Sequence, residues 1–281
     1  MKLGKADMHI HSNYSDGAPT PGQILDYVEH HTSLDVIAIS DHDTLDGALE
    51  AKRLYDEGHF RFELVIAEEI TSNEGHIVGL FLKKKIEPNR PAKEILKDIR
   101  AQGGLAIASH PFYHSKMNHT QYLTMDGIGA STLLKNNEMF DAVEIVNATP
   151  TLSDENLAAS ILNKTWLFNS EVGNSDAHIL PAIGMGYTLF EPARHASPPE
   201  PPSWRTGKAL QAGGHMAHDL RQAILQHQTR AMYKQWSYLG LFKYAYFYFP
   251  RGLRLLIHTI IHGGNDRPMD LLEQQILSEE R

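Results

Sequence analysis

The sequence predicts an α/β fold built on a mainly parallel sheet or barrel, with one antiparallel distortion. Two observations point to the parallel architecture. Short apolar runs alternate with amphipathic stretches from the start of the chain to about residue 190, the pattern of βαβ units. The runs are bounded by turn residues and rich in β-formers, as strands buried on both faces require. A third observation predicts the distortion: two adjacent runs are separated only by Thr71-Ser72-Asn73-Glu74-Gly75, which is too short for a crossover helix and long enough for a hairpin.

Taken in order, strands are expected over residues 6–11, 35–40, 64–70, 76–82, 104–109, 142–146, 165–169 and 185–190. Helical periodicity lies between them at residues 21–31, 45–58, 91–102 and 153–163. The first helix opens on Thr20-Pro21, a capping residue followed by proline at the first helical position. The third opens on Arg90-Pro91, without a good capping residue. Residues 113–140 read as a long insertion with little periodicity, and residues 191–214 contain the proline-rich run Ser197-Pro198-Pro199-Glu200-Pro201-Pro202. A further helix is expected at residues 217–228, and no internal repeat is evident. These features divide the chain into a barrel over residues 1–231 and a C-terminal extension over residues 232–281.

Composition narrows the chemistry. The chain has 281 residues, 42% of them hydrophobic and 21% charged, which suits a globular protein with a sizeable core. It has no cysteine, which excludes disulfide scaffolds, thiolate zinc sites, iron–sulfur clusters and cysteine nucleophiles. A net charge of −8 argues against binding long nucleic acid through a broad basic surface. The N-terminus lacks the apolar region of a signal peptide, and no window is apolar enough for a membrane span. The expected location is cytoplasmic, with peripheral membrane contact as an alternative. The 17 histidines are the outlier, and their placement decides what they do.

Most of the informative histidines follow strands. In His9-Ile10-His11, at the end of the first, residues two apart share a face, so both imidazoles point to one spot. Asp16 lies in the next turn, His42 after the second strand, Glu69 at the end of the third and His76 at the start of its hairpin partner. His110 and the pair Asp176 and His178 follow later strands. In parallel α/β folds that edge carries the site. Imidazoles and carboxylates converging there would be costly to bury without bound cations. A ligand set of nitrogen and oxygen suits Zn²⁺, Mn²⁺ or Fe²⁺. Strand alternation lets only one of Glu68 and Glu69 face inward.

The runs Asp7-Met8-His9-Ile10-His11-Ser12, Ser15-Asp16-Gly17 and Ser40-Asp41-His42-Asp43-Thr44 resemble the PHP (polymerase and histidinol phosphatase) superfamily of metal-dependent phosphoesterases. Glu69-Ile70-Thr71, Gly75-His76-Ile77, Ser109-His110-Pro111 and Ser175-Asp176-Ala177-His178 resemble its later motifs, in the expected order. The similarity spans about residues 5–190, and residues 220–231 resemble the usual C-terminal end. The resemblance implies a distorted, TIM-like (β/α)₇ barrel with two or three divalent ions (Mn, Fe or Zn), three in a full trinuclear centre. It favours Glu69 as the inward carboxylate. His9, His11, Glu69 and Asp176 would hold one ion, Glu69 would bridge to a second shared with His76 and His110, and Asp16, His42 and His178 would hold the third. Asp176 and His178 are also the expected catalytic pair. The implied activity is hydrolysis of a phosphomonoester or of a nucleotide or oligonucleotide phosphodiester by a metal-bridged hydroxide. The implied partner is a phosphorylated small molecule or nucleotide, or a short nucleic acid. Two other readings are an amidohydrolase-type metal hydrolase and a membrane-associated or interaction module with a residual metal site.

Other residues carry plainer expectations. Asp7 and Asp41, which flank ligands, are expected to orient them, and Asp43 and Asp46 to cap the helix at 45–58. His30, His31, His59, His195, His215, His218 and His227 have no motif context and are expected at the surface. His114, Lys116 and His119 are expected in a solvated loop, and Glu144 and Asn147 stay unassigned. The extension is unusual: between Ala231 and Asn265 it is aromatic and basic with no acidic residue, and Pro250 divides it. Beyond Pro250, Arg251, Arg254, His258 and His262 recur at helical spacing opposite an apolar stripe. Residues 232–262 are therefore expected to pack on the barrel or a second copy of the chain; contact with a membrane surface and stacking on nucleic acid are the other readings.

Overall fold

A computed structural model of the chain describes residues 2–113, 127–192 and 215–262, the last twelve of these as backbone. Among the described residues nine strands form one sheet in the order β7-β6-β5-β4-β3-β2-β1-β8-β9. They are β1 (Gly4–Asp7), β2 (Val36–Ile39), β3 (Glu63–Ser72), β4 (Gly75–Leu80), β5 (Leu105–Ala108), β6 (Ala142–Asn147), β7 (Ser170–Asn174), β8 (Gly186–Phe190) and β9 (Thr229–Tyr233). β1, β2 and β3 pair in parallel, as do β5, β6 and β7. β4 is antiparallel to both neighbours, as the short 71–75 loop predicts, and β8 is antiparallel to β1 and β9. Every strand but β4 and β8 therefore runs in one direction.

The sheet curls into a nearly closed barrel. Just past β1 and β7 the chains meet again, with Ile10 bridged to Ala177 in parallel and His11 N donating to Ala177 O at 2.9 Å. Lower down, β8 and β9 wedge between those strands, and Thr188 Oγ1 exchanges hydrogen bonds with Gly173 N (3.0 Å) and Gly173 O (2.9 Å). Around the strands lie α1 (Pro21–His31), α2 (Asp46–Glu57), α3 (Ala92–Ala101), α4 (Gly129–Lys135), α5 (Ser153–Leu162), α6 (Met216–Leu225) and α7 (Tyr238–His262). Thr20 and Gln23 form a reciprocal capping box on α1, which fixes the return of the chain after β1. Met8, Val36, Ala38, Val65, Val78 and Ile107 are among the fully covered side chains of one core cluster, and a second groups Ile24, Val28, Ile37 and Ile39.

Three expectations change. The segment 165–169, rich in β-formers, is not a strand: Asn163–Leu167 widens the end of α5 into a π-type turn, and Phe168 takes a left-handed conformation (φ 58°) that ends it. The true strand starts at Ser170, because its Asn174 end must register with Asn147 of β6. Residues 231 and 232 both lie in β9, which pairs with β8 through Tyr233. Asp43 and Asp46 cap nothing: α2 has no side-chain cap, and Asp43 instead accepts from Thr71 N at 2.7 Å, tying the loop after β2 to β3. Pro250 does not divide the extension, since α7 runs through it as one 25-residue helix. The insertion's central part (residues 114–126, with His114, Lys116 and His119), the run 193–214 with His195, and residues 263–281 lie outside the described residues. No helix among the described residues is long and apolar enough to cross a membrane.

Candidate metal centre

The strand directions bring all nine expected residues to one edge of the barrel. β1, β2, β3, β5 and β7 deliver their C-terminal ends there, and β4, running the other way, delivers its start with His76. Their donor atoms form four overlapping groups, each within 4.8 Å: His11, Asp16, His42 and His178; His9, His110 and Asp176; His9, His11 and Glu69; His42, Glu69 and His76. This grouping links His11 to the Asp16 set and His42 to His76, so the donors interlock instead of separating into three closed sets.

Glu69 is the hub. Its Oε2 lies 3.0 Å from His9 Nε2, 3.3 Å from His11 Nε2 and 3.3 Å from His42 Nδ1, while its Oε1 lies 3.1 Å from His110 Nε2 and 3.3 Å from His76 Nδ1. Glu68, one residue earlier on the strand, faces the other way and accepts from Ile86 N at 3.0 Å. Burial pushes the Glu68 carboxyl up to about 7. Asp176 Oδ1 stands 3.2 Å from His11 Nε2 and 3.5 Å from His9 Nε2. His178 turns Nδ1 to the Asp176 carbonyl at 3.0 Å, leaving Nε2 on Asp16 Oδ2 at 3.0 Å. His110 and Asp176 both have positive φ (25° and 50°), a strain that persists only where surrounding contacts over-determine it.

Sequence reasoning left out the residues that brace this cluster. Glu144 on β6 lies 3.1 Å from His9 Nδ1 and accepts from His110 N (2.9 Å), Asn147 Nδ2 (3.0 Å) and Asn174 Nδ2 (2.8 Å). Asn147 Nδ2 also donates to Asp176 Oδ2 at 3.0 Å. The available signal was a carboxylate inside the apolar run Ala142-Val143-Glu144-Ile145-Val146. Simple alternation would put Glu144 and Asn147 on opposite faces, but a register shift between Glu144 and Val146 brings them together. Asp41 and Asp7 accept from backbone N–H groups, and Asp41 also from serine hydroxyls, rather than from imidazoles. Asp41 accepts from Ser12 N (2.7 Å), Ser12 Oγ (2.6 Å) and Ser15 Oγ (2.7 Å), shaping the loop that carries Asp16. A Cβ on Gly47 would sit 1.9 Å from Asp41 Oδ2, so only glycine lets α2 start against this carboxylate. Asp7 accepts from Ser175 N (3.0 Å) and Gly184 N (2.8 Å). The histidines without motif context at positions 30, 31, 59, 218 and 227 are exposed, and His215 is half-buried.

The donor set fits divalent cations. Without them, protons must balance the buried carboxylates: burial opposes charge on His9 and His11, but Glu69 and Asp176 outweigh it, raising His9 well above the usual range and His11 to about 10. Burial drives His42 down to about 3, so it is held as the neutral imidazole a metal needs. Burial raises Glu69 and Asp176, and the facing imidazoles more than reverse this, holding both well below the carboxylate range. His11 is fully buried, and neither ring nitrogen makes a hydrogen bond of good geometry despite its carboxylate neighbours.

A pH dependence follows. A raised histidine stabilises the fold fully below its unfolded value of 6.5, and for His11 that contribution is lost as pH rises through about 10. The metal-free protein is expected to lose thermal stability over this window, and divalent metal to restore it with release of protons. Melting curves from pH 6.5 to 10 and proton release into a weakly buffered indicator solution check both. Metal uptake without proton release would contradict this assignment of charge.

A buried imidazole–carboxylate cluster at the C-terminal edge of an α/β barrel is the architecture of metal-dependent hydrolases. The chain belongs to the PHP superfamily: the PHP-associated family profile matches residues 170–200, and the ordered motifs fall at the barrel edge as that membership predicts. A curated relative, an uncharacterized protein of Methanocaldococcus jannaschii, is 41% identical over 119 residues, covering 38% of this chain and 68% of that one. A 5'-3' exoribonuclease of Haemophilus influenzae is 38% identical over 84 residues, 28% of this chain and 30% of the relative. Among solved structures, a two-domain protein from Bacteroides vulgatus containing a predicted PHP-like metal-dependent phosphoesterase superposes with a TM-score of 0.57 at 17% identity. That match covers 83% of this chain but 65% of the two-domain protein, and it shows the shared fold.

Proposed function

We propose that the protein is a metal-dependent phosphoesterase acting on a phosphomonoester or a nucleotide phosphodiester. One observation carries the reading: a single buried glutamate, Glu69, is shared by five imidazoles, within a cluster that holds two further carboxylates, Asp16 and Asp176. The proposed ligands are His9, His11, Asp16, His42, Glu69, His76, His110, Asp176 and His178, holding two or three ions of Mn, Fe or Zn. Bound there, such ions supply an activated water at neutral pH and neutralise phosphate oxygens. The chain's own residues do the positioning. Glu144 fixes the His9 ring, Asn147 fixes Asp176, and the Asp176 carbonyl sets which nitrogen His178 turns toward Asp16. The Asp16 side chain is 29% exposed while Glu69 is fully covered, so a substrate meets the cluster from the Asp16 and His178 side. The exoribonuclease similarity, limited to 84 residues, supports including phosphodiesters.

The test is metal analysis of purified protein followed by a screen of phosphomonoesters and phosphodiesters with Mn²⁺. About two or more equivalents of metal, with hydrolysis that His9→Ala abolishes, are expected. Fewer than two equivalents, together with hydrolysis unchanged in His9→Ala, would sink the proposal. Amide hydrolysis without phosphate ester hydrolysis would favour the amidohydrolase chemistry instead.

A further inference from the structure

The C-terminal helix α7 does not stand apart from the barrel. Trp236, just before it, donates from Nε1 to Ala148 O at 2.8 Å, in the loop that follows Glu144 and Asn147. The Trp236 ring meets Tyr244 edge-on at 5.5 Å, and Tyr244 lies 4.5 Å from Tyr248 between ring centroids. Tyr248 in turn presents its ring edge-to-face to His178 at 5.8 Å. One helix turn thus separates two tyrosines on the face turned to the metal centre. On the opposite face Phe242, Tyr246 and Phe249 are 68%, 75% and 72% exposed.

Two features separate this contact from ordinary apolar packing. First, the two tyrosine rings contact each other and, through Trp236, are tied to the loop after β6. Second, both are phenols, which keep their O–H at neutral pH, and Tyr248 brings that donor beside His178, whose Nε2 lies 3.0 Å from Asp16 Oδ2. A phenol O–H donor thus stands beside the His178 side of a cluster whose own side chains are acceptors and metal-ligand nitrogens. Packing alone would be served by phenylalanine, which α7 has at position 247.

We propose that α7 is a wall of the active site and that Tyr248, held by Tyr244, is a substrate-contacting residue whose hydroxyl donates to a phosphate oxygen of the bound ester. This rests on the phosphoesterase reading above and assigns to the extension a role in the site.

The experiment uses the full chain loaded with Mn²⁺ and compares wild type with Tyr248→Phe, Tyr248→Ala and Tyr244→Phe. Metal content, calorimetric affinity for inorganic phosphate, and kcat and KM on bis(p-nitrophenyl) phosphate are measured. Tyr248→Phe should keep its metal and its melting temperature but bind phosphate about tenfold or more weakly, the size expected for one hydrogen bond to a charged group. Tyr244→Phe should show a smaller loss in the same direction. Wild-type phosphate affinity and kinetics in Tyr248→Phe would overturn the inference, as would loss of phosphate binding that merely follows loss of metal. If Tyr248→Ala unfolds, Tyr248→Phe alone decides. Wild type that holds metal yet neither binds phosphate nor hydrolyses the diester would overturn the phosphoesterase reading, and this inference with it.

Discussion

Glu69→Gln is expected to empty the metal centre, whereas Glu68→Gln should leave it intact. Glu69 faces five imidazoles with its two oxygens and is fully buried. The amide removes the charge and offers an NH₂ group to nitrogens that must themselves face a cation, so both electrostatics and geometry fail at once. Residues that only orient metal ligands cost about 10–100-fold in affinity or activity when replaced; Glu69, shared between groups, should cost more than about 100-fold. Glu68 points out of the barrel onto Ile86 N, so its amide should retain metal and turnover. Metal content and kcat/KM of the two variants side by side are decisive, and equal losses in both would show that the inward carboxylate has been misassigned.

Glu144→Gln should give the second largest effect. Its carboxylate takes His9 Nδ1, His110 N, Asn147 Nδ2 and Asn174 Nδ2, so acceptor character is needed at both oxygens. An amide turns one acceptor into a donor facing donors, and each buried donor left unsatisfied costs about 1–3 kcal/mol. His9 loses the contact that sets its tautomer. We expect metal affinity to fall about 10–100-fold and the metal-free protein to melt at lower temperature. Metal titration with thermal melts measures this; unchanged affinity would show that His9 is oriented without Glu144.

Much of the barrel could be read directly. The alternation of apolar runs and helical stretches located most of the strands and helices, because periodicities of 2 and 3.6 are local consequences of backbone geometry. The antiparallel β4 was legible for the same kind of reason, since a five-residue loop cannot hold a crossover helix. The strand at 165–169 was misread because Thr165, Trp166, Leu167 and Phe168 favour a strand by composition, while continuity with α5 and the register against β6 govern the backbone there. Pro250 misled similarly, suggesting a break that α7 does not make.

Residue types and their places at strand ends were enough to gather nine candidate ligands at one edge of an α/β barrel, because strand direction converts order along the chain into position in space. They could not reveal Glu144, whose alignment with Asn147 depends on a bulge in β6, nor the return of α7 over His178, which depends on how a distant segment packs. Local periodicity carries no information about either. Bulges and long-range docking are settled by which buried donors and apolar faces find partners once the whole barrel has closed.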